Sequence, residues 1–168
     1  MSLLPQISKI LEKLFEVRMR ALVEQNALLN ENQYGFRKGR STTLAVLEFM
    51  NQVTKANESK DYTVGVFVDL KKAFDTLNHS ILLYKLEHKG IRGVPHNWLR
   101  GFLTARKQFV VFNECKSTKT TVVHGVPQGS IISPLLFLLY IDDIVNASTL
   151  LKLVLFADDT TMSLSGKN

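Results

Sequence analysis

The chain has 168 residues, 45% of them hydrophobic and 21% charged, which is room for one ordinary domain with a sizeable core and too little for a multidomain machine. That balance excludes a disordered tail and a collagen-like repeat. Lys and Arg number 21 against 15 Asp and Glu, a net charge of +6 that suits a polyanionic partner without requiring one.

From Ile7 to Leu22 the apolar residues Ile7, Ile10, Leu11, Leu14, Val17, Ala21 and Leu22 follow helical spacing, which predicts an amphipathic core helix with Pro5 near its first turn. Lys9, Glu12 and Lys13 interrupt this stretch, where a signal peptide would be uncharged. Asn30 to Arg40 is turn-rich. Ser41 or Thr42 then caps a second helix with Ala45, Val46, Phe49, Met50 and Val53 on one face. Thr63 to Leu70 reads as a strand with both faces mostly apolar. Asn78 to Lys89 reads as a helix stopped by Gly90, and Pro95 to Arg106 as another short one. Phe109 to Phe112 and Thr120 to Val123 predict hairpin strands around a polar turn at 113–117. After a Gly/Pro loop at Gly125 to Ser130, Pro134 to Val145 predicts an apolar helix. The nearly apolar run Ile131 to Ile141 contains Ser133 and Pro134 and is far shorter than the roughly 20 residues of a membrane span. Leu153 to Phe156 and Thr160 to Leu164 make a strand–turn–strand around Asp158 and Asp159. The lone Cys115 cannot close an internal disulfide and fits a reducing compartment. A soluble intracellular chain with no membrane partner is expected.

Acid set against apolar strands is the chemically informative pattern. Asp69 ends Val64-Gly65-Val66-Phe67-Val68, and Asp158-Asp159 follow Leu153 to Ala157. A carboxylate close to a core loses hydration and needs a partner. Two such charges at about 4 Å repel by about 4 kcal/mol at an effective dielectric near 20. A divalent cation with hard oxygen ligands offsets that repulsion, and a pair of ions serves polymerases and nucleases. A solvated Asp-Asp turn is the competing reading of Asp158 and Asp159. Tyr140-Ile141-Asp142-Asp143 carries a second acidic pair, but its surroundings are apolar nearly all round without strand–turn–strand punctuation. That pair reads as the acidic end of a buried helix. The four histidines show no metal-ligand spacing.

Five motifs in order resemble the reverse transcriptase domain of non-LTR (LINE-like, jockey-type) retrotransposons, and more distantly the group II intron reverse transcriptases. Leu3 to Lys13 and Gln33-Tyr34-Gly35-Phe36-Arg37-Lys38-Gly39-Arg40-Ser41-Thr42 are similar to two fingers motifs. Phe67 to Asp75, Gly125 to Ser130 with Ser133-Pro134, and Phe156-Ala157-Asp158-Asp159 are similar to three palm motifs. The resemblance implies an α+β fold: a right-hand polymerase fragment, partial fingers at 1–62 and partial palm at 63–168, with an antiparallel palm sheet packed on helices and no thumb. It implies RNA-directed DNA polymerase activity, in which dNTPs are added to a DNA primer on an RNA template.

Under that resemblance Asp69 and Asp158 ligate two Mg²⁺ ions, for which Mn²⁺ can substitute. Asp159 completes the acidic cluster and the Leu70 carbonyl is a further ligand. Phe74 lies beneath the sugar of the incoming nucleotide and disfavours a 2′-hydroxyl, an ordinary core aromatic being the alternative. Gln128 touches that nucleotide, and Gly125 and Gly129 let backbone approach the base pair. Arg37, Lys38 and Arg40 face the template phosphates, against the alternative of a solvated basic turn. Asp75 is expected to start a turn or cap a helix, and Lys71 and Lys72 to be solvated. Compared with the family, an Arg-Pro-Ile-Ser segment is lacking before Met1, and the remaining palm, primer grip and thumb are lacking after Asn168, as is the endonuclease. The expectation is a fragment, truncated at both ends, with little polymerase activity of its own and poor solubility from uncovered apolar surface. A catalytically inactive remnant with at most nucleic-acid binding is the alternative function.

Overall fold

Helices, one three-stranded antiparallel sheet and two short two-stranded ribbons share the described residues, 5–167 of the chain in the computed structural model. Leu3 and Leu4 of the first motif, and the chain ends Met1 and Asn168, lie outside them. The chain forms α1 (Gln6–Gln25), α2 (Thr42–Glu58), β1 (Tyr62–Asp69), α3 (Ala73–Thr76), α4 (His79–His88) and α5 (Val94–Thr104). Four two-residue strands follow: β2 (Lys107–Gln108), β3 (Val111–Phe112), β4 (Cys115–Lys116) and β5 (Thr120–Thr121). Then come α6 (Ser133–Ile141), a 3₁₀ helix (Asp142–Ala147), β6 (Lys152–Phe156) and β7 (Asp159–Gly166). Capping chemistry sets several boundaries. The Ser41 hydroxyl accepts from the Leu44 amide at 3.2 Å and the Asn78 side chain from the Ile81 amide at 3.1 Å. Gly90, at φ 84°, ends α4 as expected.

The sheet has strand order β1-β7-β6, antiparallel throughout. The β6–β7 hairpin turns through Ala157 and Asp158, with Phe156 opposite Asp159. On one face α2 packs through Phe49, whose ring meets Phe67 edge-on at 5.4 Å, and through Gln52, whose side-chain oxygen accepts from the Ser163 hydroxyl at 2.8 Å. The other face is bare along β1, where Val64 and Val66 are 64% and 50% exposed. The expectation that β1 buries two apolar faces is therefore corrected: it is an edge strand covered by one helix. On α2 the buried line is Ala45, Gln52 and Ala56 with Phe49 half-buried, while Val46 and Met50 face outward.

A second layer gathers α4, α5 and α6. Leu82, Leu86, Leu99, Leu103, Leu136 and Leu138 are fully buried there, each contributing about 1.5–3 kcal/mol relative to exposure. The helix α6 is apolar on every side because it lies inside this layer. The first helix reverses its expected orientation. Ile7, Ile10, Leu11, Leu14 and Val17 are all more than half exposed, and Glu12, Glu16, Met19 and Val23 are buried. Those four recur at i, i+4, i+7 and i+11, a single helical stripe, and its two acids find internal partners. The predicted hairpin also differs: Phe112 pairs with Cys115, and Thr120–Thr121 pair instead with Lys107–Gln108. Asn113 and Glu114, both at positive φ, make the tight turn.

Candidate active site

Strand register brings the acids together. Asp69, the last residue of β1, stands directly opposite Asp159, the first of β7, so both side chains leave the same face. Asp158 precedes Asp159 on the hairpin turn. A cross-strand step of about 5.5 Å plus one residue of 3.8 Å keeps the Asp69 and Asp158 Cα atoms within about 9 Å. Asp69 and Asp159 are exposed and Asp158 is half-buried, which corrects the expected loss of hydration. Water contacts both charges of the facing pair, and their repulsion drops toward about 1 kcal/mol.

None of these three carboxylates accepts a hydrogen bond or ion pair from another side chain among the described residues. The other acidic pair contrasts sharply. Asp142 accepts from the Asn30 amide at 2.6 Å and from Lys89 at 2.5 Å, and Asp143 accepts from Lys85 at 2.5 Å. Asp142 and Asp143 are thus neutralised by lysines of the helical layer, just after the buried helix whose acidic end the sequence predicts them to form. Among the described residues no three His, Cys, Asp or Glu side chains form a ready-made metal cage. The fold supplies two facing carboxylates and a third on the adjoining turn, hard oxygen donors with no competing cation, and this donor set fits a divalent metal. The Leu70 carbonyl accepts from the Ala73 amide at 3.2 Å and keeps a second lone pair.

A cleft of about 220 Å³ gathers Phe74, Pro127, Gln128, Gly129, Ser133 and Pro134. Three residues singled out in the sequence thus share one wall system, although more than 50 positions separate Phe74 from Gln128 and Gly129. The Phe74 ring stacks on Phe137 at 4.6 Å and meets Phe36 edge-on at 6.5 Å, so it is both packed and cleft-lining. Backbone bonds tie the two segments: the Val126 amide donates to the Phe74 carbonyl at 2.8 Å and the Gly125 amide to Leu77 at 2.7 Å. Gly125 is explained by this seam. At φ +79°, a Cβ there would stand 2.6 Å from the Asp75 carbonyl oxygen, so the close approach is to Asp75 backbone. Asp75 sits in α3 and accepts a 3.4 Å hydrogen bond from Gln128. A second cleft, between α2 and the sheet, reaches both Asp69 and Asp159.

The basic loop is less free than its sequence implied. Arg37 donates to the Asn30 carbonyl at 2.9 Å and pairs with Glu24 at 3.4 Å, its side chain 9% exposed. Arg40 pairs with Glu31 and lies 4.8 Å from the Tyr34 ring centre. Both guanidiniums fold back onto nearby acids, and only Lys38 of the three is exposed without a side-chain partner among the described residues.

Two supporting residues escaped the sequence reading. Glu12, 1% exposed, accepts from the Ser130 hydroxyl at 2.5 Å and the Ile131 amide at 2.9 Å, tying α1 to the loop that carries Gln128. Burial pulls the Arg106 guanidinium below its ordinary value, and the charge of Glu12 opposes that pull. Gln33, 2% exposed, contacts the Ala157 backbone. An isolated polar letter carries no periodic signal, although the Glu12-Glu16-Met19-Val23 spacing does mark a possible buried stripe.

Sequence comparisons agree with the geometry. The family described as reverse transcriptase (RNA-dependent DNA polymerase) matches residues 1–168. The probable RNA-directed DNA polymerase from transposon X-element of Drosophila melanogaster is 36% identical over 96% of this chain and 18% of its own length. The RNA-directed DNA polymerase from mobile element jockey of the same organism is 30% identical over 99% of this chain and 19% of its own length. The chain therefore spans less than a fifth of these curated relatives. Among solved structures, apo telomerase from Candida tropicalis, truncated from the C-terminal domain, superposes with a TM-score of 0.65 over 92% of this chain and 34% of that one. At 14% identity this likeness bears on the fold alone. With the motif order, the opposed acids and a full-length family match in agreement, the chain belongs to the reverse transcriptase family.

Proposed function

We propose that this chain is the part of a non-LTR retrotransposon reverse transcriptase that carries the polymerising site, with residues 1–62 contributing to the fingers and 63–168 to the palm. The reaction is addition of dNTPs to a DNA primer on an RNA template. The observation that carries this reading is the register that sets Asp69 opposite Asp159, beside Asp158, with no cationic side chain paired to them among the described residues. Asp69, Asp158 and Asp159, with the Leu70 carbonyl, hold two Mg²⁺ ions or Mn²⁺ in their place. When bound, such ions activate the primer hydroxyl and stabilise the departing pyrophosphate.

The chain's own side chains do the selecting. Phe74, braced by Phe137, presents a flat ring to the sugar and leaves no room for a 2′-hydroxyl. Gln128, already hydrogen-bonding within the cleft, has amide donors for the incoming nucleotide, and Gly129, at φ 89°, keeps the loop backbone close. The phosphate contact assigned to Arg37, Lys38 and Arg40 falls first to Lys38. Arg37 and Arg40 join only by exchanging their glutamate partners for phosphate, which Arg geometry favours.

The test is Mn²⁺ binding to the chain, read by the loss of the free-ion electron paramagnetic resonance signal. Asp69→Asn, Asp158→Asn and Asp159→Asn are each expected to weaken it, with Mg²⁺ competing in the wild type. Binding that is unchanged in all three variants overturns the reading.

A further inference from the structure

A glutamine between α1 and α2 grips the turn that carries Asp158. The Gln33 side-chain oxygen accepts from the Ala157 amide at 2.9 Å and from the Gly35 amide at 2.7 Å, and its amide nitrogen donates to the Ala157 carbonyl at 3.4 Å. One buried side chain thus holds both the N–H and the C=O of the residue before Asp158. Ala157 needs holding: at φ 57° it is a non-glycine residue in the left-handed region, which its Cβ disfavours.

The loop around Gln33 is laid against β6 like an additional strand. The Tyr34 amide donates to the Leu155 carbonyl at 2.8 Å, and the Leu155 amide donates to the Asn32 carbonyl at 2.8 Å. Contact is so close that a Cβ on Gly35 would stand 2.2 Å from the Ala157 nitrogen, so only glycine allows the approach. Among the described residues the Gln33 side chain joins no apolar cluster, and every hydrogen bond it makes goes to Ala157 or Gly35.

We infer that Gln33 is a positioning residue, clamping Ala157 in its strained conformation and so fixing where the Asp158 carboxylate stands toward metal. The inference rests on the proposed reading of Asp158 as a metal ligand. It also means that the basic loop, four to seven residues further on, is mechanically joined to the acidic turn.

Gln33→Met, similar in volume and without the hydrogen bonds, separates this role from simple packing. Two readouts on the 168-residue chain are needed: Mn²⁺ affinity, and hydrogen exchange of the Ala157 amide. Gln33→Met should weaken Mn²⁺ about tenfold, the low end for loss of a residue that orients a metal ligand, and speed Ala157 exchange while melting cooperatively. Adding Ala157→Gly, which takes a left-handed φ without penalty, should restore affinity to within about threefold of wild type. Wild-type affinity in Gln33→Met overturns the inference, as does a loss that Ala157→Gly leaves unrepaired. Global unfolding of Gln33→Met overturns it too, because a local clamp does not hold the core. If the wild type takes no Mn²⁺, or Asp158→Asn leaves binding intact, the metal reading fails. Ala157 exchange then decides alone whether the clamp exists.

Discussion

Replacing Glu12 with alanine removes a carboxylate that joins α1 to the loop bearing Gln128. Its partners are the Ser130 hydroxyl at 2.5 Å, the Ile131 amide at 2.9 Å and the Ser8 hydroxyl at 3.2 Å. Ser130 is itself buried, so neither of the two inner donors gains water readily when the acceptor goes. Hydrogen bonds to a charged group contribute about 1.5–3 kcal/mol each. Arg106, whose charged form burial disfavours, also loses the nearby negative charge that opposes this. The expected cost is about 3–5 kcal/mol, as for breaking other buried charged contacts. For a chain of this length that lowers Tm by roughly 10 °C. Urea titration of wild type, Glu12→Ala and Ser130→Ala measures it. Ser130→Ala removes one of these donors and should cost about 1.5–3 kcal/mol, less than Glu12→Ala. A Glu12→Ala loss below about 0.5 kcal/mol, within the range of ordinary surface changes, refutes the claim that this contact secures the loop.

Asp69→Asn should weaken metal affinity yet stabilise the fold by about 0.2–1 kcal/mol, since it ends a like-charge cross-strand pair with Asp159; a lower Tm in thermal melts would contradict that. Gly125→Ala places a methyl 2.6 Å from the Asp75 carbonyl at a φ of +79°, and should cost at least about 2 kcal/mol in urea melts through strain and a displaced seam. Burial raises the pKa of Glu16, but hydrogen bonds from Arg20 and Lys13, with their charges, outweigh it and hold the carboxyl below its ordinary value. A depressed folded-state value means stability that is present above the ordinary glutamate range and lost as pH falls through the folded value. The stability gap between wild type and Glu16→Gln should therefore shrink between about pH 5 and pH 3, and a gap independent of pH across that interval would rule the contribution out.

The strand–turn–strand around Asp158-Asp159 and the helical setting of Asp142-Asp143 were legible in the sequence because periodicity and turn chemistry are local. The same local signals placed α4, with its Gly90 stop, and the entirely apolar α6. The face that α1 buries was not legible. A hydrophobic stripe says that a helix has two sides, whereas partner availability decides which side is enclosed, and here Ser130, Ile131, Arg20 and Lys13 satisfy the acids of the stripe that goes inward. Arg37 and Arg40 looked like free cations because Glu24 and Glu31 are recognisable as partners only once the loop has folded back.

By itself, the order of residues marked the main helices, the strands of the three-stranded sheet and the family, and singled out the acids to weigh as ligands, all of them properties of neighbouring positions and of motif succession. Only the folded chain decided that Asp69 lies opposite Asp159, that Phe74 and Gln128 share a cleft, and that Gln33 grips Ala157. Strand register and long-range hydrogen bonds arise from a summed packing energy over segments as much as 124 positions apart, and no local pattern encodes that sum.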